Sequence, residues 1–251
     1  MIGFGRMKKR NAAFAVYSDV GNRSINEDAF GYCRLEERGC FILCDGLGGH
    51  GMGDVASRFA VEVMRARFLD SANNEECIQT AFLAAEDIIL AEQKQRNAFR
   101  KMKTTAVLAT FDNKYVRISH IGDSRAYIFN KNKVVVRTRD HSIPQMLFEA
   151  GSIKESEIRN HPDRSVILRV LGVEWEKPEN EVLKPIPIGK CQAILLCSDG
   201  FWELIDEAEM CDSLEKAITV NDWLESMRNT VKKNGKGRVM DNNTAIAVWF
   251  E

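Results

Sequence analysis

The stretch Ala193-Ile194-Leu195-Leu196-Cys197-Ser198-Asp199-Gly200, "AILLCSDG", decides how this chain folds. Its first five residues are apolar without interruption. So short and continuous a run fits a strand covered on both faces, because a half-solvated strand would alternate apolar with polar residues. The run stops at Ser-Asp-Gly, three residues that favour turns. The same design occurs earlier, in Cys40-Phe41-Ile42-Leu43-Cys44-Asp45-Gly46. Two covered strands that both end in Asp-Gly place a carboxylate at the rim of a buried sheet twice.

Further apolar runs of strand length cover 13–20, 104–111, 115–121, 125–129 and 244–250. Between "AYIF" and "KVVV", Asn130-Lys131-Asn132 reads as a hairpin turn, so part of the sheet is antiparallel. Helical spacing links Val55, Phe59, Ala60, Val63, Met64 and Phe68, and again Ile78, Ala81, Phe82, Ala85, Ile88 and Ile89. A later helix is expected to be capped by Asn221, to carry Lys232 and Lys233 in its last turn, and to end at Gly235. Covered strands in hairpins with helices in pairs imply sheets enclosed by helical layers. The segment 142–175 departs from this pattern and is expected to be a surface insertion, helical at Ile143, Met146, Leu147 and Ala150.

The chain of 251 residues has no Pro-, Ser- or Gly-rich linker and no repeat, so a single domain over 1–251 is expected. A formal net charge of −1 points to neither nucleic acid nor a membrane surface. The early cations Arg6, Lys8, Lys9 and Arg10 precede no long apolar run, and no stretch reaches the roughly 20 apolar residues of a membrane span. A cytoplasmic protein is expected. Seven cysteines without a C-x-x-C pair suit buried, reduced thiols better than a zinc site.

The chemistry is expected where the strands end. Asp45 and Asp199 close covered runs, Asp123 follows Gly122 after "VRISHI", and Asp241 precedes the final strand. Glu27 and Asp28 stand side by side in "RSINEDAF", 23–30. Each alone would pass for a turn residue. Together, on adjoining strands, they would repel one another and take up protons unless a cation neutralised them. Oxygen donors without His or Cys suit Mg²⁺ or Mn²⁺, and so many charges suit more than one ion. Paired divalent ions acidify a shared water and hold both the attacking and leaving oxygens in phosphoester chemistry. Gly46 could bring its carbonyl close to a metal, and Arg23 offers a planar fork for phosphate. The Gly-rich "DGLGGHGMGD", 45–54, matches neither a dinucleotide fingerprint nor a P-loop.

In order along the chain, "RSINEDAF", "CDGLGGHGMGDVAS", "TTAVLA", "IGDSRAYIF", "TRDHS", "LFEAGSIKESEIRNHPDRSVILRVLG", "LLCSDGFWELI" and "DNNTAIAV" resemble the metal-dependent PPM (PP2C) protein serine/threonine phosphatases of bacteria. The resemblance implies an α+β fold: a four-layer α-β-β-α sandwich of two mainly antiparallel sheets flanked by helix pairs, with a flap at about 143–175. It implies hydrolysis of phosphoserine and phosphothreonine by a hydroxide bridging two Mn²⁺ or Mg²⁺ ions, with a third, weaker ion. Asp45 would bridge the two, Gly46 would offer its carbonyl, and Asp199 and Asp241 would complete the shell. Glu27 and Asp28 would line the site, Asp123 would help hold the third ion, and Arg23 would bind phosphate. The implied partners are phosphorylated proteins and an opposing Ser/Thr kinase, with the phosphatase a monomer. Two positions depart from parts of the family. Leu47 stands where some members carry a His, leaving a metal-bound water, His50 or His161 as proton donor, and Glu203 replaces an Asp near the third ion. A catalytically silent scaffold, the competing reading, would be expected to have lost core acids.

Overall fold

The computed structural model describes residues 12–47, 51–72 and 74–250. In chain order it contains β1 (Ala12–Asp19), β2 (Asp28–Arg34), β3 (Gly39–Asp45), α1 (Gly53–Asp70), α2 (Asn74–Gln95), β4 (Ala106–Phe111) and β5 (Tyr115–Ile121). There follow β6 (Arg125–Asn130), β7 (Lys133–Arg137), the short helices α3 (Ile143–Glu149) and α4 (Glu155–Ile158), β8 (Glu181–Val182) and β9 (Ile186–Pro187). The chain closes with β10 (Ala193–Cys197), α5 (Asp199–Trp202), α6 (Glu207–Lys216), α7 (Val220–Asn234) and β11 (Asn243–Phe250).

Two sheets form. One has the order β1-β11-β10-β6-β7; the other has β2-β3-β4-β5-β8, with β9 also paired to β5. Every pairing is antiparallel. The continuous apolar runs follow from what covers each face. Along β3, Phe41 and Leu43 point between the sheets, where they meet Val107, Ile194, Leu196 and Ile246. Cys40, Ile42 and Cys44 point the other way, onto Ala60, Met64, Phe82 and Ile89 of α1 and α2. On β10 the alternation repeats: Ile194 and Leu196 face the inter-sheet core, while Leu195 and Cys197 pack with Met210, Trp223 and Met227 of α6 and α7. Apolar residues are therefore required on both faces, and the expected layers of helices, sheet, sheet and helices result. All seven cysteines are free thiols.

Local signals mostly act as anticipated. Lys131 and Asn132, at φ 50° and 55°, make the tight β6–β7 hairpin. The last helix starts earlier than Asn221 suggests. Thr219 is its N-cap, and its hydroxyl accepts from the Asp222 amide while the Asp222 carboxylate accepts from the Thr219 amide. Asn221 lies within the first turn because this reciprocal pair outcompetes a lone Asn cap. Gly235 does end the helix. Between β7 and β8, residues 138–180 contain α3 and α4 but no strand.

Candidate active site

The acids meet because the strand ends carrying them meet. β2 and β3 are antiparallel, so the first residue of β2, Asp28, lies directly opposite the last residue of β3, Asp45. In the other sheet, the exit of β10 adjoins the entry of β11, as the 3.1 Å bond from the Ser198 amide to the Thr244 carbonyl shows. Ser198 joins the two sheets. Its hydroxyl accepts from the Thr244 amide and donates to Asp28 Oδ2 at 2.8 Å. A cleft of about 520 Å³ opens above this junction, and Arg23, Glu27, Asp45, Gly46, Asp123, Asp199 and Asp241 all line it. Asp28 sits beneath, bonded to Ser198 rather than facing the opening. The adjacent acids thus divide as strand geometry demands, Glu27 to the cleft and Asp28 to its foundation.

The backbone near Asp45 is closely held. Its amide donates to Thr105 Oγ1 at 3.0 Å, and its carbonyl accepts from the Thr105 amide and the Thr104 hydroxyl, both at 2.8 Å. Gly46 is a glycine for a steric reason: a Cβ there would lie 2.3 Å from the Gly53 carbonyl oxygen and 2.8 Å from that of Glu27. Asn242 secures the loop carrying Arg23. Its Oδ1 accepts from the Glu27 amide, and its Nδ2 donates to the carbonyls of Val20 and Ile25. Thr104, Thr105, Ser198 and Asn242 lie inside the quoted motifs, yet no role for them was legible there. The signal available was the small hydroxyls and the amide placed directly at strand ends, where polar side chains commonly bind backbone.

The electrostatics describe a site crowded with like charge. Burial, followed by repulsion from Asp28 and Asp199, holds the Asp45 carboxyl well above the usual range. Burial followed by Asp123 and Glu203 does the same to Asp199. Burial and then Asp140 push Asp123 up to about 7, and burial pushes Asp28 up to about 6 against the hydrogen bonds it accepts. Glu27 is raised too, by burial and then Asp54. Asp28 Oδ1 and Asp123 Oδ1 are buried without a hydrogen-bond partner. Cations satisfy such atoms and relieve such repulsion, so the donor set fits hard divalent ions.

The carboxylates surround the cleft instead of crowding one point. Among the described residues, His120, His141 and Glu181 form the one trio of His, Cys or acid ligand atoms within 4.8 Å of one another, and none lines the cleft. Their hydrogen bonds oppose metal binding. His120 Nε2 must donate to the Arg139 carbonyl, and His141 Nδ1 must accept from the Gly122 amide. The neutral His141 ring therefore carries its proton on Nε2, the atom a metal would need.

His50 lies outside the described residues. His161 is not part of the cleft wall: its Nδ1 accepts from the Asp163 amide at 3.1 Å. Leu47 does line the cleft. Glu203 is tied at 2.9 Å to Arg164, within the strand-free segment, and Ser165, Val166, Ile167 and Val170 of that segment form one wall. The buried Arg125 forks onto Asp140 at 2.8 and 2.6 Å and stacks on Trp202, whose indole N–H donates to the Asp123 carbonyl. That bracing fixes the turn bearing Asp123.

The chain is similar to known proteins over nearly its whole length. The family model "Protein phosphatase 2C" matches residues 17–250. The serine/threonine phosphatase stp of Listeria innocua is 34% identical over 241 residues, covering 90% of each chain. The crystal structure of the serine/threonine phosphatase Stp1 from Staphylococcus aureus superposes with a TM-score of 0.87 at 27% identity, covering 100% of both chains. The catalytic domain of the phosphatase PstP, solved with 2 manganese ions, shares the fold, with a TM-score of 0.79 at 23% identity and coverage of 96% of this chain and 99% of its own. By the near-complete span of the match and by the cleft at the junction of its two sheets, this chain belongs to the protein phosphatase 2C family.

Proposed function

We infer that the protein is a metal-dependent serine/threonine protein phosphatase, hydrolysing phosphoserine and phosphothreonine on proteins. One observation carries this reading: five carboxylates from both sheets and a single arginine line the same cleft. Asp45, Asp199 and Asp241 would hold two Mn²⁺ or Mg²⁺ ions, with the Gly46 carbonyl completing one shell. Glu27, which lines the cleft, would help hold the ions through water, Asp28 lies opposite Asp45 beneath them, and Asp123 with Asp199 would hold a third ion. Bound there, the ions supply an acidified water and neutralise charge developing on phosphate.

The chain's own residues do the rest. Arg23 presents its fork at the cleft mouth, where it can bind two phosphate oxygens at once. Thr104, Thr105 and Asn242 keep the carboxylates and the arginine loop in register. Val166, Ile167 and Val170 put an apolar wall beside the acids, which limits water and strengthens the charge interactions within. The segment 143–175 acts as a flap in this reading, within a single domain spanning 1–251. A silent scaffold is disfavoured because every expected acid is present.

The proposal extends to context: phosphorylated proteins as substrates, a Ser/Thr kinase as the opposing activity, and a cytoplasmic monomer. No described helix is long and apolar enough to cross a membrane. The deciding experiment compares phosphate release from a phosphothreonine peptide and from a phosphodiester, with Mn²⁺ and with chelator. Chelator-sensitive release from the peptide alone is expected. Equal or preferential diester cleavage would reassign the site to another two-metal hydrolase.

A further inference from the structure

Next to the catalytic cleft lies a second, larger cavity of about 740 Å³ that the chemistry above does not use. Its walls are the end of α2, the loop that follows, and Gly172 to Glu174. Lys103 lines both cavities, and it forms the crest between them. The crest is anchored at the catalytic side, since the Lys103 carbonyl accepts from the Leu47 amide at 3.0 Å. A chain leaving the cleft over Lys103 enters this trough directly.

The trough is built and charged. Residues 94–103, "KQRNAFRKMK", contain five cations and no acid, in a protein whose formal net charge is −1. Arg96 is neutralised by Glu92 at 2.7 Å. Lys94, Arg100 and Lys103 all line the trough, and no ion pair among the described residues engages them; Glu174 is the one acid in its wall. Phe99, also in the wall, is 64% exposed, unusual for a side chain of its size. The floor beneath is fixed: buried Gln93 donates through Nε2 to the carbonyls of Met102 and Gly172, both at 2.8 Å, and buried Glu86 accepts from the Gly172 amide at 2.7 Å. Gly172 must lack a side chain for this closure, because a Cβ would stand 2.2 Å from the Met102 carbonyl oxygen.

We propose that this trough is a substrate-docking subsite that takes acidic residues flanking the phosphoresidue, with Phe99 offering an adjacent apolar contact. The proposal rests on the phosphoprotein phosphatase reading and adds a sequence preference to it. Charge complementarity selects the occupant, because three unpaired cations beside one acid attract carboxylates and disfavour basic segments. Small phosphate esters reach only the cleft and gain nothing from the trough.

The test uses two phosphothreonine peptides of equal length, one with Asp and Glu around the phosphoresidue and one with Gln and Ser, plus p-nitrophenyl phosphate. The readout is the ratio of kcat/KM between the peptides, in the native protein and in Lys94→Glu/Arg100→Glu. Both positions are exposed, and circular dichroism monitors the fold. The native protein is expected to favour the acidic peptide about fivefold, as for two or three exposed charge pairs. The preference should shrink as salt rises and vanish or invert in the double variant. A ratio near one in the native protein, or one unmoved by the variant, overturns the trough while leaving the phosphatase reading intact. Turnover of p-nitrophenyl phosphate without release from either peptide overturns both.

Discussion

Arg23 Nη2 lies 2.6 Å from Asp241 Oδ2, a pair closed between residues 218 positions apart. Both side chains are well exposed, at 54% and 39%. Ion pairs in such settings contribute about 0–1 kcal/mol, so this one opens readily. Arg23 can therefore exchange a carboxylate for a phosphate oxygen at little cost. In the same exchange Asp241 becomes free for a cation.

Replacing Arg23 should separate fork geometry from charge. Arg23→Ala is expected to lower kcat/KM for a phosphothreonine peptide by roughly 10–100-fold, the value of a charged hydrogen bond. Arg23→Lys should recover only part, because an ammonium cannot grip two oxygens in one plane. Steady-state kinetics on the three proteins decides it.

Asp199→Asn should move activity and stability in opposite directions. Hydrolysis should fall by roughly 10²–10³-fold or more, as when a group facing developing charge is removed. In chelator, however, the variant should melt higher than the native protein by roughly 2–4 °C, since one repelling charge is gone. Full activity with Mn²⁺ would refute the assignment of Asp199 to the metals.

The raised carboxyls give the metal-free protein an inverted pH profile. Asp28 and Asp123, at about 6 and about 7 in the fold, sit above their ordinary value of 3.8. The folded state thus binds more protons than the unfolded state between these limits. Their contribution to stability is fully present below the ordinary value and is lost as pH rises through the folded values. Denaturant melts in chelator should show stability falling from about pH 4 to about pH 7. Mn²⁺ should remove the fall, and at pH 6 its binding should release protons, which calorimetry in buffers of different ionisation enthalpy can count.

Asn242→Ala should cost about 2–4 kcal/mol, because it strips partners from the Glu27 amide and from two carbonyls at once. It should also raise KM, through the loosened loop bearing Arg23. Restored KM with Asn242→Asp would show that the bond from the Glu27 amide is enough to hold the loop, since a carboxylate can accept that bond but cannot donate to Val20 and Ile25.

Thr219→Ala should cost about 1 kcal/mol in a denaturant melt, while Asn221→Ala should be near neutral. The contrast tests which residue caps α7.

The parts of this molecule that could be read from its sequence share a cause. The runs ending at Asp45 and Asp199 reveal covered strands because both faces demand apolar side chains, a requirement written residue by residue. The periodic faces of α1 and α2 are equally local. Asp45, Asp123, Asp199 and Asp241 are legible only as a set, because several acids at the ends of adjoining covered strands would repel one another without a cation. What escaped is tertiary. Ser198 works by touching Asp28, 170 residues away, and Asn242 by holding a loop 215 or more residues distant. Lys103 belongs to two cavities only after folding. Asn221 and Thr219 are both good caps by residue type, and only the reciprocal partner at Asp222, three positions after Thr219, decides for Thr219.

Two strands far apart in sequence are neighbours: β11 lies between β1 and β10, in register with β1 from Ala12–Phe250 to Asp19–Asn243. Arg23 follows the one and Asp241 precedes the other, so the cleft straddles the seam between β1 and β11. Until β11 has paired with β1 and β10, Asp241 and the loop bearing Arg23 are not brought together, so the cleft is assembled only by this long-range closure.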